Sequence, residues 1–424
     1  MIPSPQLPVR VAVACGGTGG HLFPGLAVAE ELVRRGCVAG LLISPKEVDQ
    51  QALQGVSGME IVVLPAVGLK RGGYVAFVRG FMRSYRAAAR LFKSSRPQAA
   101  LVMGGFTSAP PILAAKRAGA RTFLHESNST PGRANRWLAP VVDRAFVGFP
   151  TAAGRLRNRN VSVTGTPVRS CFRVREAAAC RAALGLDPVR PVLLVMGGSQ
   201  GAGGINDLVL QSLPLFAARA PELQWVHLTG PADLEKVTRA YAALKLTALV
   251  HPFFAQMDLA LGAASIATAR AGASSLAELA AMRVPAVLIP YPAATDNHQF
   301  HNARAFEASG AARLLEQKTA TPEILAQMLL DLIERPAVQE QMRGALAQWH
   351  APRAAEEIAE AILTAVGATA GKSFPTAHQN TAAPLSRPAN AGEKPKTSAS
   401  PPVRRHPPTD TASNHKALLA GRGA

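Results

Sequence analysis

The sequence predicts an α/β protein made of two successive doubly wound domains, each a parallel sheet covered by helices. Three observations predict this class. Short apolar strands alternate with longer helical segments through most of the 424 residues. Glycine-rich turns follow three of those strands, and the strand–turn–helix opening of the first half restarts near residue 192.

In chain order, Val9–Ala14 is expected as the first strand, Gly16–Gly20 as the turn after it, and a helix from about Pro24 to Arg35. Leu41–Ser44 and Ile61–Leu64 supply the next apolar strand runs. Residues 74–93 read as a basic amphipathic helix, and Ala99–Met103 as a strand ending in Gly104-Gly105. Thr122–His125, Arg144–Val147 and Val161–Thr164 complete the first half. Mixed polarity and prolines at 167, 188 and 191 put the boundary within 166–190, giving domains of 1–166 and 167–345. Val192–Met196 opens the second half, followed by the turn Gly197–Gly204 and a helix from near Ile205. Trp225–Thr229, Ala248–His251, Ile266–Thr268 and Ala286–Pro290 are its further strands. A helix follows Ser274-Ser275, and 302–310 and 321–365 read as helical, with the last segment, about 346–366, assigned back to the first domain. Beyond that, 368–424 is rich in Pro, Ser, Thr, Ala, Asn and Lys without periodicity and reads as a disordered basic tail.

Composition narrows the function classes. With 48% hydrophobic and 17% charged residues the chain can build sizeable cores, which excludes wholesale disorder. The 46 Lys and Arg exceed the 27 Asp and Glu by 19, and the tail carries only a minor share of that excess. So basic a body should meet something anionic: nucleic acid, an acidic membrane surface or a phosphorylated ligand. Four scattered cysteines without a CxxC pair point to reduced thiols in a cytosolic compartment. The start MIPSPQLPVRVAVACGG has no signal-peptide pattern, and uncharged stretches such as 98–115 and 191–206 are short and broken by glycine. A soluble or peripheral protein is expected.

The three glycine runs, 16–20, 104–105 and 197–201, each follow a strand. Glycine there permits positive φ and lets backbone N–H groups approach an anion at a helix start, although tight strand-to-helix turns also need glycine sterically. Known fingerprints fail informatively. A dinucleotide GxGxxG starting at Gly17 would need glycine at Leu22, and one starting at Gly201 would need it at Asn206. No acid ends the second strand, and no GxxxxGK[ST] occurs. A nucleotide diphosphate without nicotinamide remains.

Six segments in order carry a resemblance: GGTGGHLFPGLAVAEEL (16–32), VMGGFTSAPP (102–111), LHESNSTPGRANRWLA (124–139), VTGTPVR (163–169), LVMGGSQGAGGIN (194–206) and ARAGASSLAELAAMRVPAVLIPYPAATDNHQFHNA (269–303). Together they closely resemble the MurG family of bacterial peptidoglycan N-acetylglucosaminyltransferases over about residues 9–365. The resemblance implies a GT-B glycosyltransferase fold, two Rossmann-like domains with the active site in the cleft between them. It implies transfer of GlcNAc from UDP-GlcNAc to the muramyl sugar of lipid I, making lipid II on the cytoplasmic face of the inner membrane; no cofactor is expected, and with no DxD-like acidic pair in the cleft motifs no metal-site residue is assigned.

Residue by residue, the resemblance places donor binding on Thr18, Gly19, Gly20, Asn128, Arg169, Ser199, Gln200 and Phe254. It adds the run Ala273, Ser274, Ser275, Leu276, Ala277 and Glu278, and Gln299 for the sugar hydroxyls. Glu278 would hold the uridine ribose, yet Ser275-Leu276-Ala277-Glu278 also fits a capping box, and Ser199 also fits an ordinary helix N-cap. Gly104, Gly105 and Phe106 are expected at the acceptor. Inversion at the anomeric carbon needs a base at the acceptor hydroxyl; His21, after the glycine turn and with an ordinary pKa near 6.5, is the first candidate and Glu126 the second.

Residues 70–96 carry Arg79, Arg83, Arg86, Arg90 and Lys93 at helical spacing with apolar residues between. Such a helix either lies on an anionic bilayer or packs on a core with a solvated basic face. A lipid acceptor favours the bilayer, with Phe77, Phe81 and Tyr85 as membrane residues. The rival readings are another GT-B enzyme on UDP-GlcNAc, such as a 2-epimerase, and a basic nucleic-acid-binding protein. The latter leaves the glycine turns unexplained and lacks RRM or KH signatures, so no nucleic-acid partner is expected.

Overall fold

The structure is a computed structural model; it describes residues 8–367 apart from 18, 47–48, 51–52, 54–55, 66–72 and 199–200, and not the side chains of Tyr74 and Phe106. The expected tail, 368–424, lies outside the described residues.

Two parallel sheets form. The first has seven strands: β1 (Arg10–Ala14), β2 (Val38–Ile43), β3 (Glu60–Val63), β4 (Ala99–Val102), β5 (Arg121–Glu126), β6 (Arg144–Val147) and β7 (Val161–Val163), in the order β3-β2-β1-β4-β5-β6-β7. The second has six: β8 (Val192–Met196), β9 (Gln224–Leu228), β10 (Ala248–His251), β11 (Ile266–Ala269), β12 (Ala286–Leu288) and β13 (Arg313–Leu314), in the order β10-β9-β8-β11-β12-β13. Alternate residues feed opposite faces. Val11 and Val13 of β1 enter one core and Ala12 and Ala14 the other, while Leu193 and Val195 of β8 oppose Val192, Leu194 and Met196.

Strand order reverses between β1 and β4, and again between β8 and β11. At such switch points the connections diverge to opposite faces and leave a crevice at the strands' carboxyl ends. The glycine turns after β1, β4 and β8 therefore fall at these crevices.

Several element bounds differ from expectation. The first helix is Gly19–Arg34, starting five residues ahead of Pro24, and β2 starts at Val38 rather than Leu41. The run 321–365 is three helices: Pro322–Glu334, Pro336–Trp349 and Ala354–Ala365. Pro336 supplies no N–H and pushes Arg335 out of helical geometry, to φ −120° and ψ 80°. Pro352 follows the second break in the same way. Leu346 and Trp349 still pack in the second lobe's core, whereas Ile358, Ala359, Ile362 and Leu363 pack with the first. The chain thus returns to the first sheet only after Trp349.

Candidate active site

One cleft of about 1410 Å³ collects the carboxyl ends of strands from both sheets. Its first wall begins at the helix Gly19–Arg34, whose opening residues Gly19, Gly20 and His21 face the space. Asp49 fixes the preceding turn: its Oδ2 accepts from Gly17 N–H at 2.7 Å and from Ser44 Oγ at 2.5 Å. The His21 ring lies against the second glycine turn. A Cβ on Gly104 would stand 3.1 Å from His21 Nε2 and 2.9 Å from Asn135 Nδ2, and φ there is +109°. Only glycine satisfies both the backbone and the ring. Burial, with His298 nearby, pushes the His21 pKa down to about 4 against an opposing pull from Asp49. The imidazole is therefore neutral at physiological pH and able to accept a proton.

Glu126 ends β5 and is buried away from the cleft lining. Its Oε1 accepts from Asn128 N–H at 2.8 Å and Nδ2 at 3.0 Å. Its Oε2 accepts from Gly132 N–H at 2.9 Å and Asn135 Nδ2 at 2.7 Å. Four donors on one carboxylate make it the staple of loop 127–132, and this geometry separates it from His21 as a base candidate.

The second wall is the start of the helix Ala273–Met282. Its N-cap is Gly272, which provides no side-chain cap, so the amides of Ala273, Ser274 and Ser275 point out without intrahelical acceptors. Such a terminus attracts a diphosphate. Because the helix starts at Ala273, Glu278 stands too far along it to close a capping box, and that alternative fails. Leu276 is buried in the core and donates its N–H to Gly272 O at 3.0 Å, and Ala277 is not part of the lining; neither meets the cleft.

The two walls meet directly. Pro24 has no N–H to offer Gly20 O four residues back, and Ser274 Oγ donates to that carbonyl at 3.1 Å instead. Close by, the Arg169 guanidinium lies over Phe23 at 5.1 Å and over Phe172 at 5.2 Å. Its buried Nε has no hydrogen-bond partner among the described residues. Burial raises the Glu278 pKa to about 7, and Arg169 restrains that rise. Phe254 lines the far end, with its ring 5.1 Å from His251.

The helix His298–Ala308 closes the mouth. Gln299 Oε1 accepts from Tyr291 N–H at 3.0 Å, and His298 Nδ1 contacts Thr295 O at 2.7 Å. Asp296 pairs across the cleft with Arg136 at 3.1 Å and Arg133 at 3.4 Å. Thus Gly19, Gly20, His21, Asn128, Arg169, Phe254, Ala273, Ser274, Ser275, Glu278, Gln299 and Gly105 line one space. Gly104 supports it from behind. Thr18, Ser199 and Gln200 lie outside the described residues, as does the Phe106 side chain; the helix expected from near Ile205 begins at Gly203. Sequence reasoning missed Arg270, which reaches Ile289 O and Pro290 O at 3.0 and 3.1 Å beside the cleft, and Asn135, the second holder of Glu126.

On the outer surface, the helix Tyr74–Ser95 turns Arg79, Arg83, Arg86, Arg90 and Lys93 to solvent. Tyr85 packs on the core, and Phe77 and Phe81 are half-buried with rings 6.3 Å apart. The exposed apolar stripe is Val75 (72%), Val78 (46%) and Met82 (38%), one helical face beside the arginines. No helix among the described residues is long and apolar enough to cross a membrane.

The chain matches the model of the glycosyltransferase family 28 N-terminal domain over residues 11–147 and that of the C-terminal domain over 192–358. It is 35% identical over 386 residues to the UDP-N-acetylglucosamine--N-acetylmuramyl-(pentapeptide) pyrophosphoryl-undecaprenol N-acetylglucosamine transferase of Anaeromyxobacter dehalogenans (strain 2CP-C), covering 88% of this chain and 97% of that protein. The crystal structure of Acinetobacter baumannii MurG superposes with TM-score 0.65 at 28% identity, over 84% of this chain and 100% of that one. A UDP-N-acetylglucosamine 2-epimerase structure from Listeria monocytogenes reaches TM-score 0.63 at 15% identity, over 86% and 98%, a likeness of fold alone.

Proposed function

The chain belongs to glycosyltransferase family 28, in the MurG family of N-acetylglucosaminyltransferases, and from that premise we propose that it transfers GlcNAc from UDP-GlcNAc to the C4 hydroxyl of the muramyl sugar of lipid I, inverting the anomeric carbon and forming lipid II. One observation carries the reading. A neutral imidazole on one lobe faces, across a single cleft, the uncapped start of the helix Ala273–Met282 and the carboxyl of Glu278 on the other.

In this reading the donor lies on the second lobe. Phe254 borders the uracil, Glu278 accepts from the ribose hydroxyls, and the amides of 273–275 with the Arg169 guanidinium hold the diphosphate. Gln299 meets the GlcNAc hydroxyls. Gly104, Gly105 and Phe106 border the acceptor, and Glu126 holds Asn128 in place. The acceptor oxygen attacks C1 from the face opposite the diphosphate as the C1–O bond breaks, and its electron pair leaves with UDP. The hydroxyl becomes acidic as its bond to C1 forms, so a weakly basic imidazole suffices to take the proton. The arriving diphosphate also raises the basicity of His21.

The test is purified protein with radiolabelled UDP-GlcNAc and a lipid I analogue. Label is expected in the lipid product only when both substrates are present. A 2-epimerase would instead change the donor sugar without any acceptor, and label left wholly in the nucleotide would end the reading.

A lipid acceptor requires the enzyme to work at a membrane, and we infer the cytoplasmic face of the bacterial inner membrane, reached through the helix Tyr74–Ser95. Basic amphipathic helices bind where anionic lipids attract their cations and an apolar stripe enters the interface. The triple variant Val75→Ser, Val78→Ser, Met82→Ser is expected to lose most sedimentation with phosphatidylglycerol-containing vesicles while transferring normally to a soluble acceptor. Tyr85→Ser, by contrast, should cost stability. Unchanged sedimentation of the triple variant would refute this face.

A further inference from the structure

The helix His298–Ala308 carries a residue with no role so far. Asn302 is fully buried, and its side chain completes the four hydrogen bonds that an asparagine amide can make. Its Oδ1 accepts from Ser129 N–H and Ser129 Oγ, both at 2.9 Å. Its Nδ2 donates to Asn128 Oδ1 and to Ala271 O, both at 3.1 Å. Asn128 and Ser129 belong to the loop that follows β5; Ala271 and the helix belong to the second lobe. One amide therefore joins three segments across the cleft.

We propose that Asn302 is a positioning residue for the transfer: it sets the separation between the base on the first lobe and the donor sugar on the second. This rests on the function proposed above. The loop it grips cannot drift, because Glu126 ties Asn128, Gly132 and Asn135 to the end of β5. The helix it sits on begins beside Gln299, so the same rigid element presents the sugar contact. One turn further along, Phe306 stacks on Trp349 at 4.4 Å and tilts against Phe149 of the first lobe at 6.2 Å, adding an apolar contact to the joint.

Direction distinguishes Asn302 from these neighbours. Apolar contacts tolerate sliding, and the Asp296 pair with Arg133 and Arg136 is exposed and screened by salt. A dry amide with every donor and acceptor engaged admits one arrangement, since any shift leaves a buried polar group unpaired.

The experiment compares Asn302→Ala, Ser129→Ala and the double variant in the full-length protein. Three readouts are needed: kcat with a lipid I analogue, UDP-GlcNAc binding by calorimetry, and small-angle X-ray scattering without substrate. Asn302→Ala is expected to lower kcat at least tenfold while the Kd for UDP-GlcNAc changes less than threefold, because the uracil, ribose and diphosphate contacts of the proposed function (Phe254, Glu278, the 273–275 amides and Arg169) lie within the second lobe. Ser129→Ala removes one hydroxyl and should fold readily, with a smaller loss of kcat. The double variant should be no worse than Asn302→Ala alone, since the two residues share their bonds. Scattering should show a broader distance distribution for Asn302→Ala.

Unchanged kcat in Asn302→Ala, independent losses that multiply in the double variant, or kcat and binding falling together would each overturn the proposal. Scattering requires no turnover. If the wild type transfers nothing, the proposed function fails; if Asn302→Ala scatters as the wild type does, the positioning role fails.

Discussion

His21→Ala is expected to lower kcat for GlcNAc transfer by about 10²- to 10⁴-fold, the usual worth of a positioned general base, with UDP-GlcNAc binding changed less than threefold. The ring lies against Gly104 and Gly105, which border the acceptor in the proposed function, whereas the diphosphate and ribose contacts proposed there, the amides of 273–275 and Glu278, stand on the opposite wall. With its pKa pushed down to about 4, His21 is neutral throughout pH 6–8, so it imposes no acid limb on kcat/KM near pH 6.5. Single-turnover measurements with saturating donor isolate the chemical step. A variant retaining more than a tenth of the wild-type rate would remove His21 as the base.

The companion variant Glu126→Gln should behave differently. An amide nitrogen would face donors that now point at a carboxylate, either Gly132 N–H and Asn135 Nδ2 or the pair from Asn128. Leaving such a buried group unpaired costs about 1–3 kcal/mol. The variant should therefore lower the melting temperature together with the rate, whereas His21→Ala should leave the melting temperature nearly unchanged.

The parts of this site that were legible in the sequence are those whose cause is local. A glycine pair after an apolar run signals a strand ending at a close backbone approach, and the turns after β1, β4 and β8 follow from that alone. Pro24 misled because proline suits a helix start. The helix begins five residues earlier, since the carbonyl that Pro24 leaves unpaired is satisfied by Ser274, 254 positions away. Asn302 was illegible for a similar reason. Nothing in HNARAF announces that an asparagine will meet Ser129, 173 positions back. The outward stripe of the helix Tyr74–Ser95 is not legible in the sequence because both of its faces are rich in apolar residues. Only packing shows that Tyr85, with Ala88 and Phe92, turns toward the core while Val75, Val78 and Met82 stay outside.

Glu278 yields the second large effect, and it links function to stability with opposite signs. Its pKa of about 7 follows from burial, with Arg169 opposing the rise. In the proposed role ribose hydroxyls donate to this carboxyl, and the ionised form, whose hydrogen bonds are charge-assisted, is the one that binds best. The affinity for UDP-GlcNAc should then be level above about pH 7.5 and fall roughly tenfold per pH unit well below 7. UDP-GlcNAc is the proper ligand for this measurement because its diphosphate is esterified at both ends and does not titrate in that range. Glu278→Gln should abolish this pH dependence and weaken binding at pH 8 by about 10- to 100-fold, as expected for a lost charged hydrogen bond of about 1.5–3 kcal/mol.

In the unliganded protein the sign reverses. Between about pH 4.5 and 7 the folded state holds more protons on Glu278 than the unfolded chain does. The contribution of this carboxyl to stability is therefore fully present below 4.5 and is lost as pH rises toward and through 7. The loss at pH 8 is on the order of 3 kcal/mol for a shift from 4.5 to about 7. Glu278→Gln should accordingly raise the melting temperature of the ligand-free enzyme at pH 8 and change it little at pH 5. Saturating UDP-GlcNAc should close the gap by stabilising the wild type more. Equal melting temperatures at pH 8 would mean that the carboxyl is solvated and ordinary, and the pH dependence of binding would then have to come from another group.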